Sequence, residues 1–415
     1  MFPFLELTPL ILQAFLQTFF DPSYLFLFLV VCAIIAIQYN RMEKMRENFF
    51  GVRAGRSKRD LLTAIGYGLL GGLLASFLVI FIGLTISGEL YYLWPVAILL
   101  MMLNIRFICF AYAGGILALS NLILGVPQIN VSQILALVAV LHMVESFLIL
   151  VSGHLGAVPA YIKGPEGKVI GGFTLQRFWP IPIVALAVIA GAVAEGGIEM
   201  PGWWPLIMPG VEGDPQNLTF ALLPLLAGLG YGDIAIARSP AEKSRLSAIF
   251  LGLYSLILLA LAVLAGHNRV MALLAAVFSP LGHEAVIYIG RWIELKGKPL
   301  YVPAAEGMRI MDVLPDGPFW HAGLRPGDIV VAVNGVKFAD KTEFYNLLQS
   351  SFLPAGIDYI SLPDGTTKNT VVKPPEPGKP WGVAPAPEGN ESKYVELLTA
   401  GPLGRWILKL WGKAR

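Results

Sequence analysis

The chain has 415 residues, 56% of them hydrophobic and only 14% charged, whereas water-soluble globular chains run roughly 45–50% apolar and about 25% charged. That shift excludes an ordinary soluble enzyme as a description of the whole chain, and a formal net charge of +2 gives no reason to invoke nucleic acid. Only two cysteines, Cys32 and Cys109, are present. Both lie in apolar runs and read as small buried hydrophobes, with no CxxC pattern and no disulfide framework.

In chain order, Met1–Phe20 lacks the basic leader and small-residue cleavage site of a secretory signal. Residues 1–20, with Glu6, Gln13 and Gln17 among apolar blocks, read as an interfacial or re-entrant helix. Residues 21–290 read as a polytopic bundle of about nine transmembrane helices. The first is centred on Tyr24–Ile37 and runs into a dense basic loop holding Arg41, Lys44, Arg46, Arg53, Arg56, Lys58 and Arg59. Lys and Arg accumulate on the cytoplasmic side, so this loop sets the orientation.

Expected spans then follow at Leu61–Leu84, Tyr91–Leu103, Phe107–Gly125, Gln133–Val151, Pro180–Ala194, Leu218–Ala235, Leu246–Ala265 and Val270–Gly290. Gly71 and Gly72 permit close helix approach, and Asn104 with Arg106 would form a tight turn. Lys163, Lys168 and Arg177 make a second positive loop. Glu195, Glu199, Glu212 and Asp214 make an acidic one on the other side, with Trp203 and Trp204 suited to a membrane interface. An odd number of crossings puts residues 291–415 in the cytoplasm, with 291–302 as a juxtamembrane linker.

Residues 303–375 read as a soluble, mainly-β domain. Met308–Val313 alternates as a strand, Pro315–Pro318 breaks it, and Ile329–Val333 forms a second strand ending in Asn334-Gly335. That dipeptide favours a type I′ turn because both central residues need positive φ. Lys341–Gln349 is a short amphipathic helix, and further strands close the unit. The run Ala322-Gly-Leu-Arg-Pro-Gly-Asp-Ile-Val-Val-Ala-Val-Asn-Gly resembles the signature of bacterial PDZ domains. The resemblance implies a groove between a strand and the short helix, in which a partner's C-terminus or extended segment adds as a further strand. On that pattern the loop Ala304, Ala305, Glu306 and Gly307 presents amides to a terminal carboxylate. Met308, Arg309 and Ile310 form the receiving strand, and Tyr345 faces the groove.

No catalytic set is complete, so the chain is expected not to be an enzyme and to hold no cofactor or metal. His283-Glu284 begins like HExxH, but position 287 is Ile287, so the second zinc ligand of that motif is missing. This disfavours the enzyme-class alternative, an intramembrane protease or a PDZ-bearing accessory of one. No GxSxG occurs. His142 and Glu145 share one face of an apolar helix at i and i+3. With His283 and Glu284 they form an intramembrane polar set. Bonding between helices is the simpler reading, and a proton-coupled transport site the functional alternative. Residues 376–402 read as a Pro/Gly-rich linker. Residues 403–415 read as a basic amphipathic tail, with Leu403, Trp406, Ile407, Leu410 and Trp411 on one face and Arg405, Lys409 and Lys413 on the other, suited to an anionic lipid surface.

Four stretches of the membrane part resemble MinJ-type topological determinants of cell division in Gram-positive bacteria. They are Phe19–Tyr24, Arg106–Gly115, Leu141–Ser146 and Pro280–Gly290, the last running into Glu294–Gly297. The resemblance implies a non-enzymatic scaffold in the cell membrane, enriched at poles and septum. It would link a DivIVA-like polar coiled-coil protein to a MinD-like division-inhibiting ATPase.

Overall fold

The computed structural model describes residues 3–50, 55–86, 90–164, 167–189, 198–210, 218–350, 353–362, 364–377, 379–389, 391 and 394. The expected amphipathic tail, 403–415, lies outside them, as do Glu195, Glu212 and Asp214 of the acidic loop.

Helices α1 (Pro3–Gln17), α2 (Pro22–Phe50), α3 (Ser57–Ile82), α4 (Leu90–Leu103), α5 (Phe110–Leu124) and α6 (Val131–Ser152) come first. Strands β1 (Val158–Lys163), β2 (Val169–Ile189) and β3 (Thr219–Ala235) follow, then α7 (Pro240–Ala265) and α8 (Arg269–Lys296). Five of these helices, α2, α3, α6, α7 and α8, are long and apolar enough to cross a membrane. The expectation of about nine transmembrane helices is therefore corrected. Helices α4 and α5 have 14 and 15 residues and reach about 21–23 Å at 1.5 Å per residue, short of a hydrocarbon core of about 30 Å. They pack as a helical hairpin whose tip is the 3-10 turn Ile105–Ile108, with the Asn104 side chain accepting from the Arg106 amide.

The two remaining expected spans, Pro180–Ala194 and Leu218–Ala235, fall largely on strands. β2 pairs antiparallel with β3 from Phe173↔Ala235 to Ile189↔Thr219, and with β1 from Val158↔Thr174 to Lys163↔Val169. Beyond Thr174, apart from a single bridge at Leu186, one edge of β2 has no strand partner among the described residues, and helix α3 lies along it. A Cβ on Gly68 or Gly72 would collide with the carbonyl oxygens of Pro180 and Pro182, and Ser76 Oγ accepts from the Val184 amide at 2.8 Å. The repeats match: four helical residues advance about 6 Å and two strand residues about 6.6 Å. Several groups on this edge are accounted for. Pro180 and Pro182 carry no N–H, Phe178 exchanges bonds with the Tyr39 hydroxyl, and Leu186 O accepts from Ile86 N at 2.7 Å. Unpaired backbone is intolerable in lipid and is found there only when covered by protein; α3 is the cover. Gly71 meets Leu148 of α6, so the Gly71-Gly72 pair does allow close approach, to a helix on one side and a strand on the other.

Arg177, assigned to a positive loop by sequence, instead lies within β2, fully buried over the ring of Tyr39. At the same end of the bundle, Glu294 accepts from the amides of Ile236 and Ala237 and from Arg238, while Lys243 pairs with Asp233 at 2.9 Å. At the opposite end Trp204 donates to Ile80 O, and Gln133 bridges Thr85 and the 207–208 backbone.

The second unit is the sheet of β4 (Met308–Val313), β5 (Ile329–Val333), β6 (Ala355–Ile360), β7 (Thr367–Val372) and β8 (Val383–Pro385), with helices α9 (Pro318–His321) and α10 (Lys341–Ser350). Strand order is β7-β6-β5-β4-β8. Its core holds Ile310, Phe319, Leu324, Val330, Phe344 and Leu348, all fully buried. Asn334 and Gly335 both adopt positive φ, as the turn requires. The fifth strand comes from the segment read as linker, so the domain extends past residue 375.

This unit is fastened to the bundle. Gly171 N donates to Tyr301 O at 2.9 Å, and Met311 and Ala386 join the core of the bundle. Half-buried Asp312 lies in this contact, where desolvation raises its carboxyl to about 6 against the pull of Arg46 and Arg56. A raised carboxyl binds protons better folded than unfolded, so stability should fall as pH rises from 3.8 to about 6 and stay level above. Asp312→Asn should flatten that slope and raise thermal stability above pH 6, as read by melting curves in detergent.

Candidate functional site: a capped strand edge and an intramembrane polar cluster

The expected receiving strand, Met308–Ile310, has no free edge. Met308 and Arg309 pair with Val330 and Ile329 of β5, while Arg309 O accepts from Ala386 N and Ile310 pairs with Pro385 of β8. The loop 304–307 is also misplaced for the role. Gly307, at φ +73°, packs against the backbone of Val330, and Glu306 makes an exposed ion pair with Lys337 at 3.7 Å. Sequence reading missed β8 because a three-residue strand inside a proline-rich stretch has no alternation to detect.

The outer edge of β8 faces α10, and Tyr345 does sit there. Gly382 O and Ala386 N turn toward β4, so Val383 O and Pro385 O turn outward. Tyr345 Oη donates to Val383 O at 3.0 Å, and Tyr161 Oη of β1 donates to Pro385 O at 3.1 Å. Burial pushes the Tyr345 hydroxyl up to about 12 and the Tyr161 hydroxyl upward too, so both are protonated donors at neutral pH. The chain beyond β8 then crosses the start of α10: Glu388 accepts from the Lys341 amide and Glu391 from Lys341 Nζ, each at 2.8 Å. The outward carbonyls of β8 are thus both taken by tyrosine hydroxyls.

The second site lies where α6, α8 and the α4–α5 tip meet. His142 Nδ1 is 2.7 Å from Val138 O, and its Nε2 is 3.1 Å from Cys109 Sγ; His283 Nε2 is 3.6 Å from the same sulfur. The neighbouring Glu284 turns away, accepting from Tyr112 Oη at 2.7 Å and pairing with Arg106 at 2.9 Å. Of the expected intramembrane set, His142 and His283 come together, their rings 5.1 Å apart and both against Tyr254. Glu284 belongs to an adjoining ion pair. Glu145 lies one turn beyond His142, and among the described residues none of the ring's hydrogen bonds goes to it. Cys109, read as apolar filler, is only half-buried and touches both imidazoles. Three of the four distinctive stretches, Arg106–Gly115, Leu141–Ser146 and Pro280–Gly290, converge here. That convergence was the available signal.

The fold and its edge site define a PDZ-bearing protein with several membrane-length apolar helices; the PDZ-domain family model matches residues 309–352. Among curated proteins, the cell division topological determinant MinJ of Bacillus subtilis (strain 168) is 25% identical over 216 residues, 51% of this chain and 50% of that protein. The serine protease HhoA of Synechocystis sp. (strain ATCC 27184 / PCC 6803 / Kazusa), so named, is 34% identical over 55 residues, 13% of this chain and 14% of its own. The matched part thus spans about half the length of MinJ. Over that part the chain is similar to MinJ.

Proposed function

We propose that the chain is a non-enzymatic, multi-pass membrane scaffold whose PDZ domain faces the cytoplasm and recruits protein partners for division-site placement. The observation that carries this reading is the β8 edge beside α10, a strand-addition groove complete except for its two tyrosine caps. The turn at Trp381–Gly382, with Gly382 at φ +74°, leads into that strand and takes the carboxylate-facing role first given to 304–307. Parity survives the loss of four helical spans, because they go in pairs: the α4–α5 hairpin enters and leaves on one side, and β2 and β3 supply one outward and one returning passage. Arg46 and Arg56 lie near Asp312, so the PDZ unit is at the end rich in Lys and Arg, which favours the cytoplasmic side. DivIVA-like and MinD-like proteins, with the lipid bilayer, are the partners the resemblance supplies.

A fluorescent fusion should collect at septa and poles, and deletion should misplace septa. Division proteins should be captured by the intact chain and not by one lacking residues 303–391. Uniform membrane fluorescence with normal septa would refute the reading. Removing both caps, Tyr161→Phe with Tyr345→Phe, frees two carbonyls that a ligand must otherwise win. At a net ~0.5–1.5 kcal/mol per bond, partner binding should tighten roughly tenfold or more, measured by titrating a captured partner onto the purified protein.

A further inference from the structure

We propose that Cys109, His142 and His283 form a zinc-binding site inside the helix bundle. One ligand atom from each lies within 4.8 Å of the others. They come from three separate places in the chain: the residue before α5, the middle of α6 and the middle of α8. In a tetrahedral zinc site, sulfur at about 2.3 Å and nitrogen at about 2.0 Å from the ion sit roughly 3.5 Å apart. The two Sγ–Nε2 separations, 3.1 and 3.6 Å, bracket that figure.

The hydrogen bonds favour a cation over a simple polar contact. The Val138 carbonyl can only accept, so the His142 proton sits on Nδ1 and the Nε2 lone pair points at the sulfur. Histidine ligands are commonly oriented by such a second-nitrogen bond. The thiol proton can serve only His142, so without a cation His283 would have to turn an Nε2–H toward the sulfur and leave its Nδ1 as a buried acceptor. His283 Nδ1 is buried with no hydrogen-bond partner among the described residues. A cation would serve all three groups together and balance a thiolate in an apolar bundle. Glu284 is committed to Arg106 and Tyr112, so the donor set is sulfur and nitrogen, which suits zinc over magnesium or calcium. Three protein ligands leave a fourth position for an exogenous one. None of this requires HExxH, and the site is independent of the PDZ groove.

The protein, purified in detergent, should carry about one zinc per chain. Cobalt exchanged into it should show a thiolate-to-metal charge-transfer band in the near ultraviolet. Cys109→Ser and His283→Ala should each lose the band and lower zinc content on the order of tenfold, while Cys32→Ser should keep both. If the ligand variants fail to fold, alkylation of Cys109 in the Cys32→Ser protein decides: a strong chelator should speed it on the order of tenfold. Wild-type protein without zinc or a cobalt band, metal retained by Cys109→Ser, or alkylation indifferent to the chelator would each overturn the site.

Discussion

Replacing Glu294 by Ala should cost about 2–4 kcal/mol, chiefly because two backbone donors lose their acceptor at roughly 1–3 kcal/mol for a buried one. The Glu294 side chain is fully buried, and one carboxylate takes the amides of Ile236 and Ala237 at 2.9 and 2.8 Å and Arg238 at 3.1 Å. Truncation would leave the buried Ile236 N–H and the half-buried Ala237 N–H without their acceptor at the corner where β3 turns into α7, while the Arg238 guanidinium, 36% exposed, could turn to water. Glu294→Gln keeps one acceptor oxygen and should cost less. Thermal unfolding of the detergent-solubilised protein reads the difference. Equal melting temperatures for wild type and Glu294→Ala would show that this corner does not hold the fold.

Gly72→Leu should be comparably damaging, at about 3 kcal/mol or more, the upper part of the range for overpacking. A side chain there runs into the Pro182 carbonyl, which is backbone and cannot yield as a flexible side chain would. Lifting α3 from β2 would also break the Ser76–Val184 bond. Gly66, on the same helix but with nothing within 4 Å of a Cβ, is the control. Gly66→Ala should be neutral or gain roughly 0.5–1 kcal/mol, the usual helical difference between the two residues. Similar losses at both positions would mean that helix propensity, and not the seam with β2, governs α3.

The long helices were legible because a sustained apolar run bounded by charge seldom folds as anything but a membrane-length helix. The error at Pro180–Ala194 and Leu218–Ala235 has a physical source. A strand covered on both faces, as β2 is, reads as continuously apolar as a helix, and β3 is as apolar although much of it stays partly exposed, so hydropathy separates neither from a helix. The alternating Pro180 and Pro182, and the alternating Gly228, Gly230 and Gly232, carried the period-two signal. The PDZ core and its Asn334-Gly335 turn were readable from local spacing, but the free edge was not, since β8 lies some seventy residues after the strand it pairs with. His142 and His283 were noticed because ionisable groups in apolar helices stand out. Cys109 was overlooked because cysteine in such a run is normally inert.

The soluble unit is held at both its entrance and its exit by the same membrane-proximal hairpin. Tyr301 bonds to Gly171, and Pro385 bonds to Tyr161. A module on one flexible tether samples a wide volume, whereas one pinned at two points keeps a set bearing toward the hairpin. If a client docks as proposed, it comes to that fixed berth, and prying Tyr161 away to seat it would tug directly on the strands threaded among the helices.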